Sequence, residues 1–231
     1  MKKILIGATL AATTLLTTPY AIAHDNASNK ANAKAITASP TTSDDQTVEN
    51  PVHVLNKSVI TIQRLLTSQT KELEKNPKEL LHIVRTHLIP YMDLDDIAGN
   101  MLGKKWNSAS AQDKKEFITG FMNMLVLLYS KNIAQVGDYE LKFNPLRPSA
   151  DWKSPNTKNV QVTGVLFKKG SESKGSNVVV YLKKTSQNTW KIYDVAIEGV
   201  SIIQNYRSQF RSLASVSAAI AAVKKVNERN K

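Results

Sequence analysis

Few side chains in this 231-residue chain have the types and spacing that catalysis or metal binding requires. Cysteine is absent, which excludes disulfide frameworks, thiolate zinc sites and cysteine nucleophiles. His82 and His87 are five residues apart, about 140° around a helix, so they do not share a metal ion. Glycine-rich phosphate loops, HExxH and GxSxG motifs are missing as well. The sequence predicts no metal ion and no cofactor.

An acidic group at residues 93–96 resembles the start of a calcium loop. Asp93, Asp95 and Asp96 have the right types, but Ala98 and Lys104 stand where such a loop needs glycine and glutamate. We therefore predict that these aspartates cap a helix.

Asp194 and Glu198 are the strongest candidates for acid–base chemistry. Four residues apart on an extended strand, they would point the same way, and a carboxylate in an apolar pocket can act as a general base. A small-molecule isomerase or dehydratase, using Asp194 with Tyr193 or Tyr129, is therefore an alternative function. We favour structural roles, in which Asp194 bonds to the backbone or to a lysine and Glu198 caps the following helix.

The first residues predict export from the cytoplasm. Lys2 and Lys3 precede the short apolar run from Ile4 to Leu16, and Ala21-Ile22-Ala23 has the small-x-small pattern of a cleavage site. We predict a signal peptide over residues 1–23, cleaved after Ala23, rather than a membrane anchor, because a span needs about 20 predominantly apolar residues.

The formal net charge is +12, which favours binding to a polyanion. An exported protein rarely meets nucleic acid, so lipid headgroups and anionic envelope surfaces are the expected partners. The alternative is that the charge serves solubility alone.

The remaining chain predicts one α+β domain. Residues 24–50 have almost no large apolar side chain and predict a flexible linker. Residues 51–215 form the predicted domain, and residues 216–231 a polar C-terminal tail or fraying helix end. Caps and apolar spacing predict four helices, starting near residues 51, 77, 94 and 110, then strands over 139–144, 158–168, 177–184 and 189–197, and a last helix from Ser201.

Two of these elements are more apolar than a surface element needs to be. The fourth helix has apolar residues around nearly its whole circumference, and the last three strands have apolar residues on both faces. Such elements are either central to the core or line an apolar cavity.

The stretch from Trp190 to Phe210 resembles the signature of the MlaC family, also called the toluene-tolerance family. The motifs W-x-x-Y-D-V, E-G-V-S and N-Y-R-x-x-F follow one another there, and I-P-Y-M-D at 89–93, G-K-x-W at 103–106 and an aromatic ladder from Phe117 to Tyr129 extend the resemblance over residues 52–215. The linker is longer than is typical of the family, and the tail is alanine-rich.

The resemblance implies a periplasmic carrier of the maintenance-of-lipid-asymmetry pathway. Its expected fold is a curved mixed or antiparallel four-stranded sheet wrapped by helices, a cone-like roll with an apolar cavity. Such a protein would hold the acyl chains of a phospholipid and shuttle it between an outer-membrane lipoprotein–porin complex and an inner-membrane ABC transporter complex. It would not be an enzyme.

We expect the cavity between the fourth helix, the sheet and the last helix. The predicted lipid-binding residues are the apolar ones on these facing elements: Phe121, Leu125, Tyr129, Val162, Val179, Tyr181, Trp190, Val195, Val200 and Ile203. Arg207 and Arg211 are predicted to contribute to a positive rim for the headgroup or to a docking face, with pairing of Arg207 to Glu198 as the alternative.

Overall fold

The computed structural model describes residues 48–73, 75–147, 151–170 and 175–230. The predicted signal peptide at 1–23, its cleavage after Ala23, and the linker up to residue 47 lie outside these ranges. No helix in the described part of the chain is long and apolar enough to cross a membrane.

Along the described part of the chain, six α-helices precede the strands of the sheet and two follow them. Asn50 and Asn76 cap the first and third of these, accepting hydrogen bonds from the Val52 amide at 2.9 Å and the Glu79 amide at 3.3 Å. Each cap precedes a proline in the first turn, where the missing N–H is not needed. The helices are α1 (Pro51–Ser68), α2 (Thr70–Leu73), α3 (Pro77–His87), α4 (Leu94–Leu102), α5 (Lys104–Asn107), α6 (Ala111–Ala134), α7 (Ile202–Phe210) and α8 (Val216–Arg229).

The three aspartates before and within α4 have structural partners. Asp93 accepts a hydrogen bond from the Asp96 amide at 3.0 Å, and this confirms the predicted cap. Asp95 accepts from the Trp106 indole N–H at 3.1 Å, and Asp96 pairs with the Lys183 ammonium at 2.9 Å.

The described strands form one antiparallel sheet in sequence order, and this confirms the α+β class. Because neighbouring strands in the chain are neighbours in the sheet, hairpin connections suffice. The sheet has five strands where four were predicted, since a two-residue strand pairs with the edge of the fourth. The strands are β1 (Tyr139–Phe143), β2 (Asn159–Lys168), β3 (Ser176–Lys184), β4 (Trp190–Ile197) and β5 (Val200–Ser201).

The two faces of the sheet differ more than the sequence indicated. Val162 and Val180 are buried against Val54 and Leu55 of α1, whereas Gln161, next to Val162 on β2, is exposed. Burial alternates in this way along β2 and β3, as expected for an antiparallel sheet with one wet face. On the opposite face, Gln161 and Thr163 of β2 are exposed, whereas Val179 and Tyr181 of β3 are half-buried, so this face is covered only in part.

A tight turn joins β4 to β5. Ile197 pairs with Val200, and the two residues between them, Glu198 and Gly199, have φ of 50° and 78°. Positive φ at both central positions is typical of a type I′ hairpin. The Glu198 carboxylate accepts a hydrogen bond from the Asn177 amide at 2.6 Å, which ties the turn to β3 and offsets the strain of a left-handed non-glycine residue.

The C-terminal segment is a packed helix and not a polar tail. Ser215 caps α8 by accepting from the Ala218 amide at 3.1 Å, and Val216, Ala219, Ile220 and Val223 are buried in the cluster that contains residues of α6. These four positions have the i, i+3, i+4, i+7 spacing of one helix face. The abundance of alanine hid this face, because small side chains give a weak apolar signal.

Replacing Val223 by alanine tests the packing of α8. Val223 is 1% exposed, and a Cβ on Gly120 of α6 would lie 3.1 Å from its Cγ1. We expect Val223→Ala to lower the free energy of unfolding by about 1–3 kcal/mol. Urea denaturation measures the change. Lys225→Ala, on the exposed face of the same helix, is the control, and equal effects of the two variants would contradict the packing.

Candidate functional site

The hydrophobic core of the described residues is divided into three clusters. The first joins α4, α6, α7 and α8 and includes Phe117 and Phe121. The second joins α1 to the covered face of the sheet and includes Val162 and Leu182. The third joins α1, α2, α3 and α6 around Leu80. A domain usually has one contiguous core, so the division needs an explanation.

An apolar cavity of about 120 Å³ lies where the three clusters meet. Its walls are formed by residues from each cluster: Met122 belongs to the third, Ile192 to the second, and Phe117 to the first. The lining comes from α4, from α6 between residues 117 and 125, from β4 between residues 192 and 195, and from the start of α7. A cavity of about 150 Å³ with such a lining stays dry and holds a benzene molecule. The cavity is suited to a hydrocarbon group.

Four of the ten predicted lining residues line this cavity. They are Phe121 and Leu125 of α6, Val195 of β4 and Ile203 of α7. The predicted location between the fourth helix, the sheet and the last helix therefore coincides with the cavity.

The other six predicted lining residues lie elsewhere. Val162 and Trp190 belong to the second cluster, beneath α1. Val179 and Tyr181 alternate with the buried residues of β3 and are half-buried on its opposite face. Sequence alternation separates the two faces of a strand but does not say which face another element covers, so it could not relate these four residues to this cavity.

Two of these six are exposed beside the cavity. Val200 follows the β4–β5 turn and is 58% exposed. Tyr129 is 38% exposed and lies close enough to Tyr206 of α7 to raise its pKa.

Sequence reasoning missed the wall that α4 provides. Ile97, Ala98 and Met101 line the cavity, together with Met92 and Leu94 just before and at the start of the helix. The spacing of these apolar residues predicts a helix with one buried face, but it does not indicate that this face borders a cavity. A backbone hydrogen bond connects the start of α4 to β4: the Asp93 amide donates to the Ile192 carbonyl at 2.8 Å.

Asp194 borders the cavity, but its carboxylate is engaged in capping α7. One oxygen, Oδ1, accepts from the Val195 amide at 2.8 Å and the Ile203 amide at 3.2 Å. The other accepts from the Ser201 hydroxyl at 2.5 Å, and that hydroxyl accepts from the Gln204 amide at 3.0 Å. Asp194 bonds to the backbone as predicted, and a carboxylate with both oxygens engaged is poorly placed to accept a substrate proton.

The predicted cap by Glu198 is wrong. Its carboxylate accepts from the Asn177 amide on β3, so Asp194 and Ser201 are left to cap α7. The tight turn at Glu198 and Gly199 directs the glutamate side chain towards the neighbouring strand, a geometry that the sequence pattern did not reveal.

Two tyrosines beside the cavity stay neutral at physiological pH. Burial raises the pKa of Tyr193, and the negative charges of Asp194 and Asp96 raise it further. Burial also raises the pKa of Tyr206, with the hydrogen bond to Tyr129 as the next cause. The cavity wall therefore has no tyrosinate charge that would oppose an apolar ligand.

Arg207 and Arg211 are exposed on and just after α7. Within the described ranges neither guanidinium forms an ion pair, and the Glu198 carboxylate, the alternative partner of Arg207, lies against Asn177. No group of three or more potential metal ligands occurs in the described part of the chain.

Comparison with known proteins gives a consistent result. Residues 56–227 match the model of the family described as MlaC protein. The intermembrane phospholipid transport system binding protein MlaC of Haemophilus influenzae is 22% identical over 145 residues, which cover 61% of this chain and 63% of that protein. The fold matches that of a phospholipid-binding protein from Ralstonia solanacearum, solved with a bound phospholipid, with a TM-score of 0.67 and 19% identity over 77% of this chain and 96% of the other.

Asp194→Asn tests the structural role of the carboxylate. The amide keeps one acceptor for the Ile203 amide but reverses the hydrogen bond with Ser201, so we expect a loss of about 1–3 kcal/mol in the free energy of unfolding. Chemical denaturation measures it. Glu198→Gln, which keeps an acceptor for the Asn177 amide, is the control. A variant as stable as the wild type would contradict the capping role.

Proposed function

The chain belongs to the MlaC family, and we propose that it is a carrier that binds the acyl chains of a phospholipid in the cavity between α4, α6, β4 and α7. The proposed lipid-binding domain runs from α1 to the end of α8, since the family match extends to residue 227. It therefore includes α8, which lies in the segment predicted as a polar tail or fraying helix end.

The observation that supports the proposal most directly is the position of the cavity. It lies at the junction of three separate clusters, and the side chains that line it are apolar apart from Tyr193 and the engaged Asp194. A site without free polar groups selects hydrocarbon and leaves a charged headgroup in solvent, because an unpaired buried charge is costly.

The size of the cavity implies that lipid entry separates its walls. A cavity of about 120 Å³ is comparable to one of about 150 Å³ that holds a benzene molecule, so it suits a ring-sized group or one end of an acyl chain and not two whole chains. The walls meet mainly through side chains, and such contacts can part without breaking strand pairing. The Asp93–Ile192 backbone hydrogen bond joins α4 to β4 at one end.

Transfer does not require release of lipid into water. Burying the roughly thirty methylenes of two acyl chains gains about 24 kcal/mol relative to water. A membrane or a partner protein offers an equally dry environment, so this term nearly cancels between donor, carrier and acceptor. Headgroup contacts and protein docking then decide the direction.

Export and partner complexes complete the proposal. The predicted signal peptide places the protein in the periplasm, where it would exchange lipid with an outer-membrane lipoprotein–porin complex and an inner-membrane ABC transporter complex. The name of the Haemophilus relative, a binding protein of an intermembrane phospholipid transport system, supports this assignment. A carrier needs no turnover chemistry, and the hydrogen bonds of Asp194 argue against the isomerase or dehydratase alternative.

Leu125→Trp tests the site. Leu125 lines the cavity and is partly buried between the first and third clusters, so a larger side chain fills the space that lipid would take. We expect the variant to fold and to copurify with much less phospholipid than the wild type. Mass spectrometry of the extracted lipid measures the difference.

Leu128→Trp, one turn further along α6 at an exposed position, is the matched control and should retain wild-type lipid. Normal lipid content in Leu125→Trp would contradict the location of the site. A wild-type protein that carries a polar metabolite favours the enzyme, and one that carries nothing favours a plain adaptor.

Arg207→Glu tests the proposed role of the exposed arginines in headgroup or docking contacts. An exposed charge pair contributes only about 0–1 kcal/mol and is screened by salt, so the effect should fall on the transfer rate and not on retained lipid. We expect slower transfer between vesicles and acceptor at low salt, with a smaller defect at high salt. An unchanged transfer rate together with a lower melting temperature would indicate a structural role for Arg207. The same measurements on Arg211→Glu show whether the second arginine has the same role.

A further inference from the structure

Three exposed side chains with apolar surface lie beside the cavity, and we call Tyr129, Val200 and Ile202 the apolar rim. Their exposed fractions are 38%, 58% and 38%. Ile202 also lines the cavity, so the outer surface of the rim is continuous with the cavity wall. Tyr129 lies close enough to Tyr206 of α7 to raise the pKa of that phenol, and Tyr206 is one turn along from Ile202.

The rim is presented on a rigid support. Val200 directly follows the tight turn at Glu198 and Gly199, and hydrogen bonds in both directions join Glu198 to Asn177. Ile202 is the first residue of α7, whose N-terminus is fixed by the Asp194 carboxylate. Preorganised side chains lose little conformational entropy when they bind.

The size and chemistry of the rim favour a lipid surface over a protein partner. A standard protein interface takes about 800 Å² from each partner, which is far more than three partly exposed side chains offer. Insertion into the boundary between headgroups and acyl chains requires only a few apolar side chains and a favourable charge. The chain after the predicted signal peptide has a net charge of +10 (29 − 19), which is complementary to an anionic bilayer, and Glu198, the acidic residue in the turn, is engaged with Asn177.

We propose that the apolar rim inserts into the surface of an anionic bilayer and connects it to the cavity. The inference rests on the proposed carrier function and adds a bilayer contact to the exchange with the two membrane complexes. An acyl chain that slides over Ile202 passes from bilayer to cavity without crossing water. The cost of exposing a chain to water, about 0.8 kcal/mol per methylene, is thereby avoided.

Paired substitutions at Val200 test the proposal without touching the cavity lining. The probe is vesicles of phosphatidylglycerol and phosphatidylcholine in equal parts. We expect Val200→Ser to lower the vesicle partition coefficient about fivefold. Val200→Trp should raise it, because tryptophan favours the membrane interface. The fluorescence of the added tryptophan, obtained by subtracting the wild-type spectrum, should also shift to the blue when vesicles are present.

Ile60 provides the matched control, since it is 54% exposed on α1 and does not line the cavity. Ile60→Ser and Ile60→Trp should leave vesicle partition unchanged and show no emission shift. Equal shifts at positions 60 and 200, or no shift at 200, would overturn the proposal. Normal vesicle binding by Val200→Ser with impaired delivery to a membrane protein complex would also overturn it and make the rim a protein-docking surface.

Lipid analysis of the same wild-type preparation separates failure of the rim from failure of the carrier function. Phospholipid that copurifies with a protein unable to bind vesicles rejects the rim alone. Absence of copurifying phospholipid rejects the proposed function itself. Melting curves of the four variants check that each of them folds.

Discussion

The energetic cost of an empty cavity is the constraint on which the rest of this structure depends. An unfilled void costs about 24 cal/mol per Å³, so the observed cavity of about 120 Å³ costs about 3 kcal/mol. A dry void large enough for two whole acyl chains would cost several times more, a large share of the 5–15 kcal/mol by which a typical domain is stable. A carrier of such a ligand is therefore more stable if its walls can approach one another when the ligand leaves.

The three-cluster core fits this constraint. The lining residues of α4 and α7, and most of those of α6, belong to the first cluster, whereas Ile192 of β4 belongs to the second. The second cluster, around Leu182, contains no buried residue of α4, α6 or α7, so β4 keeps these contacts when the helices move away from it. The wall formed by α7 is anchored by hydrogen bonds instead, because Asp194 on β4 binds the Ile203 amide and the Ser201 hydroxyl. This arrangement puts a carboxylate beside an apolar cavity without leaving it unpaired, which would be costly.

Much of this fold was predictable because its signals are local. Asn50, Asn76 and Ser201 cap helices where the sequence placed them, since a cap and the amide it binds lie within a few residues. How deeply each apolar side chain is buried was not predictable in the same way. Trp190 and Val200 were both predicted to line the cavity, yet Trp190 is buried beneath α1 and Val200 is exposed, and only the packing of distant segments decides between these outcomes.

Closing of the cavity walls also affects how a carrier releases its ligand. If the walls close on an empty cavity, part of the roughly 24 kcal/mol from burying thirty methylenes is used to separate them again, so net retention is weaker than burial alone suggests. Closer packing of lining residues such as Leu125, Ile192 and Ile203 would then favour release into a dry acceptor. A cavity that was rigid and open would have the opposite properties, because it would be unstable when empty and would retain its ligand too tightly when full. The small cavity is thus consistent with the transfer of large lipids.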